Sequence, residues 1–202
     1  MKILHGLPDK SLANSYLESC ALTIGNFDGV HRGHQAMLAL LKNEAQHRNI
    51  PSCVMTFEPH PRDYFAKIAQ KSELAPARIA TLRDKLTELA RCGIDHCVVL
   101  PFNAKFAAQS PQNFIQDVLV SSLGAKYVLV GDDFRFGSKR AGDYAMLDAA
   151  GVQLGFEVAR MNSYEVHGLR VSSSAVREAL NQGRMDDVAK LPATDRADLF
   201  RA

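Results

Sequence analysis

Short runs of apolar residues alternate along this chain with longer segments whose apolar residues recur every three or four positions. The short runs are rich in β-branched residues and predict strands over residues 20–26, 51–57, 95–102, 125–131 and 153–161. The longer segments predict amphipathic helices over residues 34–48, 77–93, 110–124, 143–151 and 172–183. Strands that alternate with helices form a parallel sheet with helices on both faces. Because such crossovers are right-handed, we expect an α/β protein with a doubly wound, Rossmann-like parallel sheet.

Composition and charge exclude several classes of protein. The 202 residues suffice for one large domain, and a net charge of +2 gives no electrostatic reason to expect a nucleic-acid or membrane partner. No apolar run approaches the roughly 20 residues of a membrane span, and the N-terminus lacks the long apolar region of a secretory signal. The four cysteines form no CxxC pair, so we expect buried thiols and a cytoplasmic protein.

The loops at one edge of the predicted sheet hold the polar residues that matter most. Ligands of doubly wound sheets bind beyond the carboxyl ends of the strands. That rule selects loops 25–34, 57–65 and 131–142, together with the start of the helix at residue 172. We therefore expect the functional site where these four segments meet.

The segment GNFDGVHRGHQ, residues 25–35, combines three glycines with two histidines between a predicted strand and a predicted helix. Its backbone N–H groups would face the crevice, where a helix N-terminus favours anions. Neither GxGxxG nor GxxxxGK[ST] is present, which excludes a dinucleotide fingerprint and a P-loop.

Three interpretations of His31 and His34 remain open from the residues themselves. The pair could bind zinc, although zinc sites usually have three or four protein ligands and no HExxH motif or Cys–His cluster is present. The imidazoles could instead be satisfied in the core or solvated. The third interpretation is that they donate hydrogen bonds to a phosphoryl group and stabilise the charge that develops as a phosphoanhydride bond is exchanged.

Four segments resemble the signatures of one enzyme superfamily. HRGH, residues 31–34, is similar to the HxGH signature of nucleotidylyltransferases, and VSSSAVR, residues 171–177, resembles their second signature, ISSTxIR. TFEPHP, residues 56–61, and VGDDFRFGSKRAGD, residues 130–143, resemble segments of the FMN adenylyltransferase module of bacterial FAD synthetases. The resemblance covers about residues 15–190 and implies a nucleotidylyltransferase fold.

The resemblance implies a role for each residue that matches a family signature. The residues implied to be catalytic, through contacts with the ATP phosphates and the leaving pyrophosphate, are His31, His34 and Arg177. The residues implied to bind the nucleotide and its phosphates are Gly25, Phe27, Asp28, Arg170, Ser172, Ser173 and Ser174. The residues implied to form the flavin and ATP sites are Phe57, Asp133 and Phe136. No protein ligand for a metal is expected, because Mg²⁺ would bridge the ATP phosphates and keep several waters.

The activity implied by the resemblance is transfer of AMP from ATP to FMN, giving FAD and pyrophosphate. The terminal phosphate of FMN would be the nucleophile, and it is largely anionic at neutral pH because the second pKa of a phosphate monoester is about 6. ATP and FMN are therefore the expected partners. Two alternatives remain: another phosphate acceptor, such as a phosphopantetheine or a pyridine mononucleotide, and a non-catalytic flavin or nucleotide sensor.

The resemblance also sets the expected domain boundaries. Residues 1–184 would form the FMN adenylyltransferase domain and residues 185–202 a C-terminal tail. In most members of the family a riboflavin kinase module follows, and PATDRADLFRA, residues 192–202, does not match its beginning. We therefore expect no riboflavin kinase activity from this chain.

Overall fold

The computed structural model describes residues 1–8, 17–162, 165–166, 169–170 and 172–183. The strands are β1 (Lys2–His5), β2 (Cys20–Ile24), β3 (Ser52–Glu58), β4 (His96–Pro101), β5 (Ala125–Gly131), β6 (Glu157–Met161), β7 (Glu165–Val166) and β8 (Leu169–Arg170). The α-helices are α1 (Arg32–His47), α2 (Pro61–Ile68), α3 (Leu82–Arg91), α4 (Ala104–Ala107), α5 (Pro111–Asn113), α6 (Tyr144–Leu154) and α7 (Ser173–Asn181). Short 3₁₀ turns cover Ser72–Leu74 and Ser138–Arg140, and α5 continues as a π-helix over Phe114–Ser122. In this part of the chain no helix is both long enough and apolar enough to cross a bilayer.

Six parallel strands form the central sheet in the order β1-β4-β3-β2-β5-β6, and β7 pairs with β8 as a separate antiparallel ribbon. The predicted doubly wound parallel sheet is confirmed. From β2 the chain continues to β3 on one side and later to β5 on the other. The strand order therefore reverses between β2 and β5, which is the place where such sheets form a ligand crevice at their carboxyl edge.

Helices bury both faces of the sheet, as parallel sheets require. Leu119 of the π-helix and Leu147 of α6 lie in the apolar cluster on one face, and Leu38, Leu41 and Leu89 of α1 and α3 lie in the cluster on the other. All five leucines have no exposed surface. The β2 sequence CALTI between these clusters is buried along its whole length, which explains its continuous apolar run.

Two predicted boundaries are wrong for local reasons. The helix predicted over 77–93 begins only at Leu82, because Thr81 and Asp84 form a reciprocal capping box there. The strand predicted over 153–161 begins at Glu157, because α6 continues to Leu154 and ends at Gly155. The φ of +78° at Gly155 is the left-handed conformation that commonly ends a helix.

Strand β1 and helix α2 are among the elements that were not predicted from the sequence. Strand β1 has four residues at the edge of the sheet, three of them exposed, so it lacks the continuous apolar run of a buried strand. Helix α2 begins at Pro61 after a His60 cap, inside the segment 57–65 that was expected to be a loop, and it continues to Ile68. The predicted tail, residues 185–202, lies outside the described residues.

The contrast between two adjacent leucines tests the placement of α1. Leu41→Ala should lower the free energy of unfolding by about 2–5 kcal/mol, because the lost side chain leaves a cavity in the core. Leu40 is 47% exposed on the same helix, so Leu40→Ala should change the same quantity by less than about 1 kcal/mol. Urea denaturation followed by circular dichroism measures both, and equal losses would contradict this orientation of the helix.

Candidate active site

The candidate site lies at the switch point, where the loop after β2 leads into α1. Three residues of this loop have positive φ angles, namely Phe27 (+48°), Gly29 (+81°) and Val30 (+34°). A β-branched residue such as Val30 is strained in that region. Phe27 and Val30 are each 1% exposed, so core packing holds the loop in this conformation.

Gly29 is required at its position by space as well as by backbone angle. A Cβ atom added at Gly29 would lie 2.6 Å from Cγ2 of Ile79. Ile79 belongs to the segment before α3, so this close approach lets the loop dock against a second stretch of backbone. The glycine-rich sequence is therefore explained by packing inside the protein in addition to access for a ligand.

His31 and His34 meet at the N-terminus of α1. His31 is the N-cap residue, and its Nδ1 accepts a hydrogen bond from the backbone N–H of His34 at 3.3 Å. The two rings stack with their centroids 3.6 Å apart, and Phe27 packs against His34 with a centroid distance of 4.9 Å. Because Nδ1 of His31 is an acceptor, the proton of its neutral imidazole resides on Nε2.

Burial keeps this histidine pair uncharged. Desolvation lowers the pKa of His31 to about 4, although the nearby Asp28 opposes that shift. Burial also lowers the pKa of His34 far below its ordinary value, and the neighbouring His31 and Lys85 lower it further. At neutral pH the pair consists of two neutral imidazoles at a helix N-terminus. They can donate hydrogen bonds to an anion, but they add no positive charge.

Zinc binding by the histidine pair would need further protein ligands. Within the ranges that the structure describes, no group of three or more His, Cys, Asp or Glu residues is placed to hold a metal ion. One of the four imidazole nitrogens, Nδ1 of His31, is already engaged in the helix cap.

Asp28 joins three parts of the site. Its carboxylate is 1% exposed and accepts hydrogen bonds from the backbone N–H groups of Ile79 and Ala80, both at 3.1 Å. The same carboxylate forms an ion pair with Arg177 on α7, with Nη2 2.5 Å from Oδ2. Its backbone carbonyl accepts a hydrogen bond from the Ser173 hydroxyl at 3.1 Å. The structure thus gives Asp28 a positioning role, and its direct contact with the nucleotide stays a prediction.

The start of α7 contributes the serines and the arginine of the second signature. Ser172 caps the helix through a hydrogen bond to its Oγ from the backbone N–H of Ala175 at 3.2 Å, and Ser174 is exposed. Arg177 also donates from Nε to the carbonyl of Ala77 at 2.8 Å. Arg170 lies in β8, opposite Glu165. The described helix start therefore adjoins the histidine loop, as the sequence predicted for the two signatures.

Two of the residues predicted for the flavin and ATP sites, Phe57 and Phe136, are connected by a chain of aromatic contacts. Phe57 is half-buried at the end of β3 and contacts Phe102 and Phe106 at centroid distances of 5.7 and 5.5 Å. Phe106 contacts Phe114, which in turn contacts the buried Phe136 at 5.4 Å. Asp133 is exposed just beyond the end of β5. Phe57 is the more accessible of the two predicted phenylalanines, whereas Phe136 belongs to the core.

Two residues of the site were not identified from the sequence. His60 is 5% exposed, its Nδ1 accepts a hydrogen bond from the backbone N–H of Arg62 at 3.1 Å, and burial with nearby Arg78 lowers its pKa to about 4. The sequence could have indicated His60, because it lies in the family segment TFEPHP, from which only Phe57 was selected as a site residue. Lys85 is completely buried. The sequence could have indicated this burial, because Lys85 lies three residues after Leu82 and four before Leu89, on the apolar face of α3.

NMR titration tests the neutrality of the buried imidazoles. The ring signals of His31 and His60 should not titrate until the pH approaches about 4, because burial disfavours their charged forms. Variants His31→Asn and His60→Asn assign the two signals. In the urea-unfolded chain all histidines should titrate near pH 6.5. Titration of either ring near neutral pH in the folded protein would contradict the burial described here.

The same shifts make acid destabilise the fold. Between pH 6.5 and 4 the unfolded chain binds protons at His31 and His60 that the folded chain excludes, so the free energy of unfolding falls as the pH falls through this window. Urea midpoints measured from pH 7 to 4.5 should show this decline, and it should be shallower in His60→Asn. An equally steep decline in the variant would show that His60 does not contribute to the pH dependence of stability.

An exposed aspartate provides the control for a test of the contacts that Asp28 makes with Arg177 and the backbone before α3. Asp28→Asn removes the charge that Arg177 faces and should lower the free energy of unfolding by about 3–5 kcal/mol. Asp148 is exposed on α6, and Asp148→Asn should change the same quantity by less than about 0.5 kcal/mol. Urea denaturation measures both. A loss for Asp28→Asn as small as that of the control would contradict the role of Asp28 in holding α7 and the segment before α3 against the loop.

Comparison with known proteins identifies relatives of this chain. Residues 13–175 match the family model described as FAD synthetase. The chain is 48% identical over 180 residues to the bifunctional riboflavin kinase/FMN adenylyltransferase of Escherichia coli strain K12, covering 89% of this chain and 55% of that protein. It is 45% identical over 180 residues to the protein of the same name from Haemophilus influenzae, covering 89% and 56% of the two chains. The chain thus spans about half the length of the curated relatives it matches.

A solved structure supports the fold independently. The crystal structure of a Streptococcus pneumoniae protein described as a macrolide-efflux protein matches with a TM-score of 0.75 at 24% identity, covering 95% of this chain and 61% of that chain. At that identity the match concerns the fold alone. Because the FAD synthetase model spans residues 13–175, the chain belongs to the FAD synthetase family.

Proposed function

We propose that this chain transfers the adenylyl group of ATP to the phosphate of FMN, giving FAD and pyrophosphate. The observation that carries the proposal is the stacked, neutral pair of His31 and His34 at the N-terminus of α1, at the switch point of the sheet. The family membership and the relatives' names support the choice of FMN and ATP. We assign this activity to a domain over residues 1–184.

The proposed reaction needs orientation of two phosphates more than it needs a base. An oxygen of the FMN phosphate attacks the α-phosphorus of ATP and forms a new P–O bond. The bond from that phosphorus to the oxygen bridging to the β-phosphate breaks, and pyrophosphate leaves with the electron pair. Because the second pKa of a phosphate monoester is about 6, the nucleophile is already anionic at neutral pH. Holding both phosphates in line supplies much of the rate enhancement.

Neutral imidazoles suit the charge that develops at the α-phosphate. The Nε2–H of His31 can donate to a phosphate oxygen, because Nδ1 accepts the hydrogen bond of the helix cap and the ring proton is therefore on Nε2. The cap and the ring stacking fix its direction before the substrate arrives, and the N-terminus of α1 adds the positive end of the helix dipole. Such preorganised donors stabilise a transition state without having to reorient during the reaction.

The leaving pyrophosphate is assigned to the start of α7. The exposed Ser174 and the N–H groups of the first helical turn can donate to it. Arg177 uses Nε for Ala77 and Nη2 for Asp28, and a guanidinium has five N–H donors. Donors therefore remain for a phosphate while Asp28 holds the side chain in place.

The flavin ring is assigned to the aromatic end of β3. Phe57, Phe102 and Tyr64 form edge-to-face contacts there, with Phe102 5.7 and 5.4 Å from the other two rings. An open cavity of about 510 Å³ adjoins them, lined by Pro59, Asp63, Tyr64, Lys67 and Ile68. Flat aromatic surfaces and an apolar groove suit the planar isoalloxazine ring.

Mg²⁺ is expected to arrive with ATP. Such an ion would be held mainly by phosphate oxygens and water. We assign it no protein ligand and derive no step through it.

A reducing compartment, the cytoplasm, is proposed as the site of action. Cys20, Cys53, Cys92 and Cys97 are all free thiols, and three of them are buried.

Pyrophosphate release tests the activity. The 202-residue chain, given ATP, FMN and Mg²⁺, should form FAD and pyrophosphate in equal amounts, measured by chromatography and a coupled phosphate assay. His31→Ala should lower kcat by about 10²-fold or more, the loss typical of one transition-state donor. His47 lies exposed at the other end of α1, and His47→Ala should leave the rate unchanged.

The choice of acceptor decides between the proposal and its alternatives. Pyrophosphate release with a pyridine mononucleotide or phosphopantetheine, but not with FMN, would overturn the substrate assignment. Flavin binding without pyrophosphate release from any acceptor would indicate a non-catalytic binding protein. An unchanged rate in His31→Ala would remove that histidine from the mechanism.

A further inference from the structure

Lys85 is a completely buried lysine on α3, which is rare for a charged side chain. Burying an ammonium costs free energy unless an acceptor or an opposite charge compensates. Burial accordingly lowers the pKa of Lys85, while Glu58 and Asp28 oppose that shift. Because Lys85 is not in contact with solvent, it cannot contribute to solubility as a surface lysine does, and its position needs another explanation.

The Lys85 ammonium is connected to the histidine loop through one hydroxyl group. Its Nζ donates a hydrogen bond to Oγ1 of Thr56 at 3.3 Å. The Thr56 hydroxyl in turn donates to the backbone carbonyl of Asn26 at 3.2 Å. A hydroxyl has one proton to donate and lone pairs to accept, so both bonds can exist together. They link α3, through the end of β3, to the residue preceding Phe27.

The nearby carboxylates are held by other cations. Glu58 accepts from Arg78 at 3.1 Å, and Asp28 pairs with Arg177. Among the described residues, the Thr56 hydroxyl is the group that accepts a hydrogen bond from Lys85. No carboxylate of the described residues is therefore in direct contact with the Lys85 ammonium. The ammonium lies close enough to His34 to lower the pKa of that imidazole.

Stability alone does not account for this arrangement. Replacement of buried charged groups by apolar residues of similar volume is often neutral or stabilising. The backbone that the lysine holds is the strained loop, where Phe27 and Val30 have φ angles of +48° and +34°. Strained backbone persists only where its surroundings fix it, and the carbonyl of Asn26 lies next to that strain.

We propose that Lys85 is a positioning residue for adenylyl transfer, which fixes the Asn26 carbonyl through the Thr56 hydroxyl and so holds the loop that presents His31 and His34. The inference rests on the proposed function for its catalytic consequence and on the described contacts for its structural part. Lys85 touches neither ATP nor FMN in this proposal.

Kinetics and stability of two variants on one helix form the first test. Lys85→Met should lower kcat by between about 10-fold and 10²-fold, the loss that a misplacement of about 1 Å can cause, with little change in KM for ATP. Its thermal midpoint should equal or exceed that of the unsubstituted chain. Arg83→Met makes the same charge change at an exposed position of α3 and should leave kcat unchanged. An unchanged kcat in Lys85→Met, or a loss of activity that only follows a loss of stability, would overturn the proposal.

Thr56 variants test the connection and remain informative if Lys85→Met fails to fold. Thr56→Val removes the hydroxyl and should lower kcat as Lys85→Met does, whereas Thr56→Ser retains the hydroxyl and should keep kcat. Because both changes break one connection, the double variant should be no slower than the slower single variant. Multiplied losses in the double variant would show independent actions and overturn the proposal.

Amide NMR separates this inference from the proposed function. In Lys85→Met and Thr56→Val the backbone signals of residues 26–30 should shift, and in Arg83→Met they should not. If the unsubstituted chain adenylylated no acceptor, the proposed function would fail while this measurement still decided whether Lys85 holds the loop. Unshifted loop signals in both variants would overturn the positioning role.

Discussion

The carboxylate of Asp28 accepts hydrogen bonds from the backbone before α3 and from the guanidinium of Arg177, while its backbone carbonyl receives the Ser173 hydroxyl. These contacts join a loop near the start of the chain to a helix 149 positions away. An uncompensated carboxylate at 1% exposure would be costly. Docking of α7 beside the histidine loop places Arg177 against this buried carboxylate, so Asp28 couples the two halves of the candidate site.

The histidine loop combines strain with burial. Phe27 and Val30 occupy the left-handed region with their side chains in the core, and His31 and His34 are stacked and desolvated beside them. Each feature costs folding free energy, and core packing elsewhere compensates. In the proposed function the gain is a set of uncharged donors whose direction is fixed before an anion arrives, which is the preorganisation that phosphoryl chemistry uses.

Much of the architecture followed from local pattern. The parallel sheet was predictable because strands buried on both faces read as continuous apolar runs, as CALTI of β2 does. The switch point was predictable in kind, since doubly wound sheets bind ligands at their carboxyl edge. Boundaries were less predictable: the start of α3 depended on the Thr81–Asp84 capping box, and α2 begins inside a segment that was expected to be a loop.

The sequence by itself determined the class of fold, the place of the histidine pair and the family signatures, because periodicity and short motifs are properties of neighbouring residues. Only the tertiary structure decided that the Asp28 carboxylate faces Arg177 and backbone N–H groups, that both imidazoles are neutral, and that Lys85 lies beneath the loop. Burial and electrostatic environment depend on residues far apart in the chain. The shifted pKa values and the buried ion pair therefore arise only once α3, α7 and the loop after β2 have been brought together.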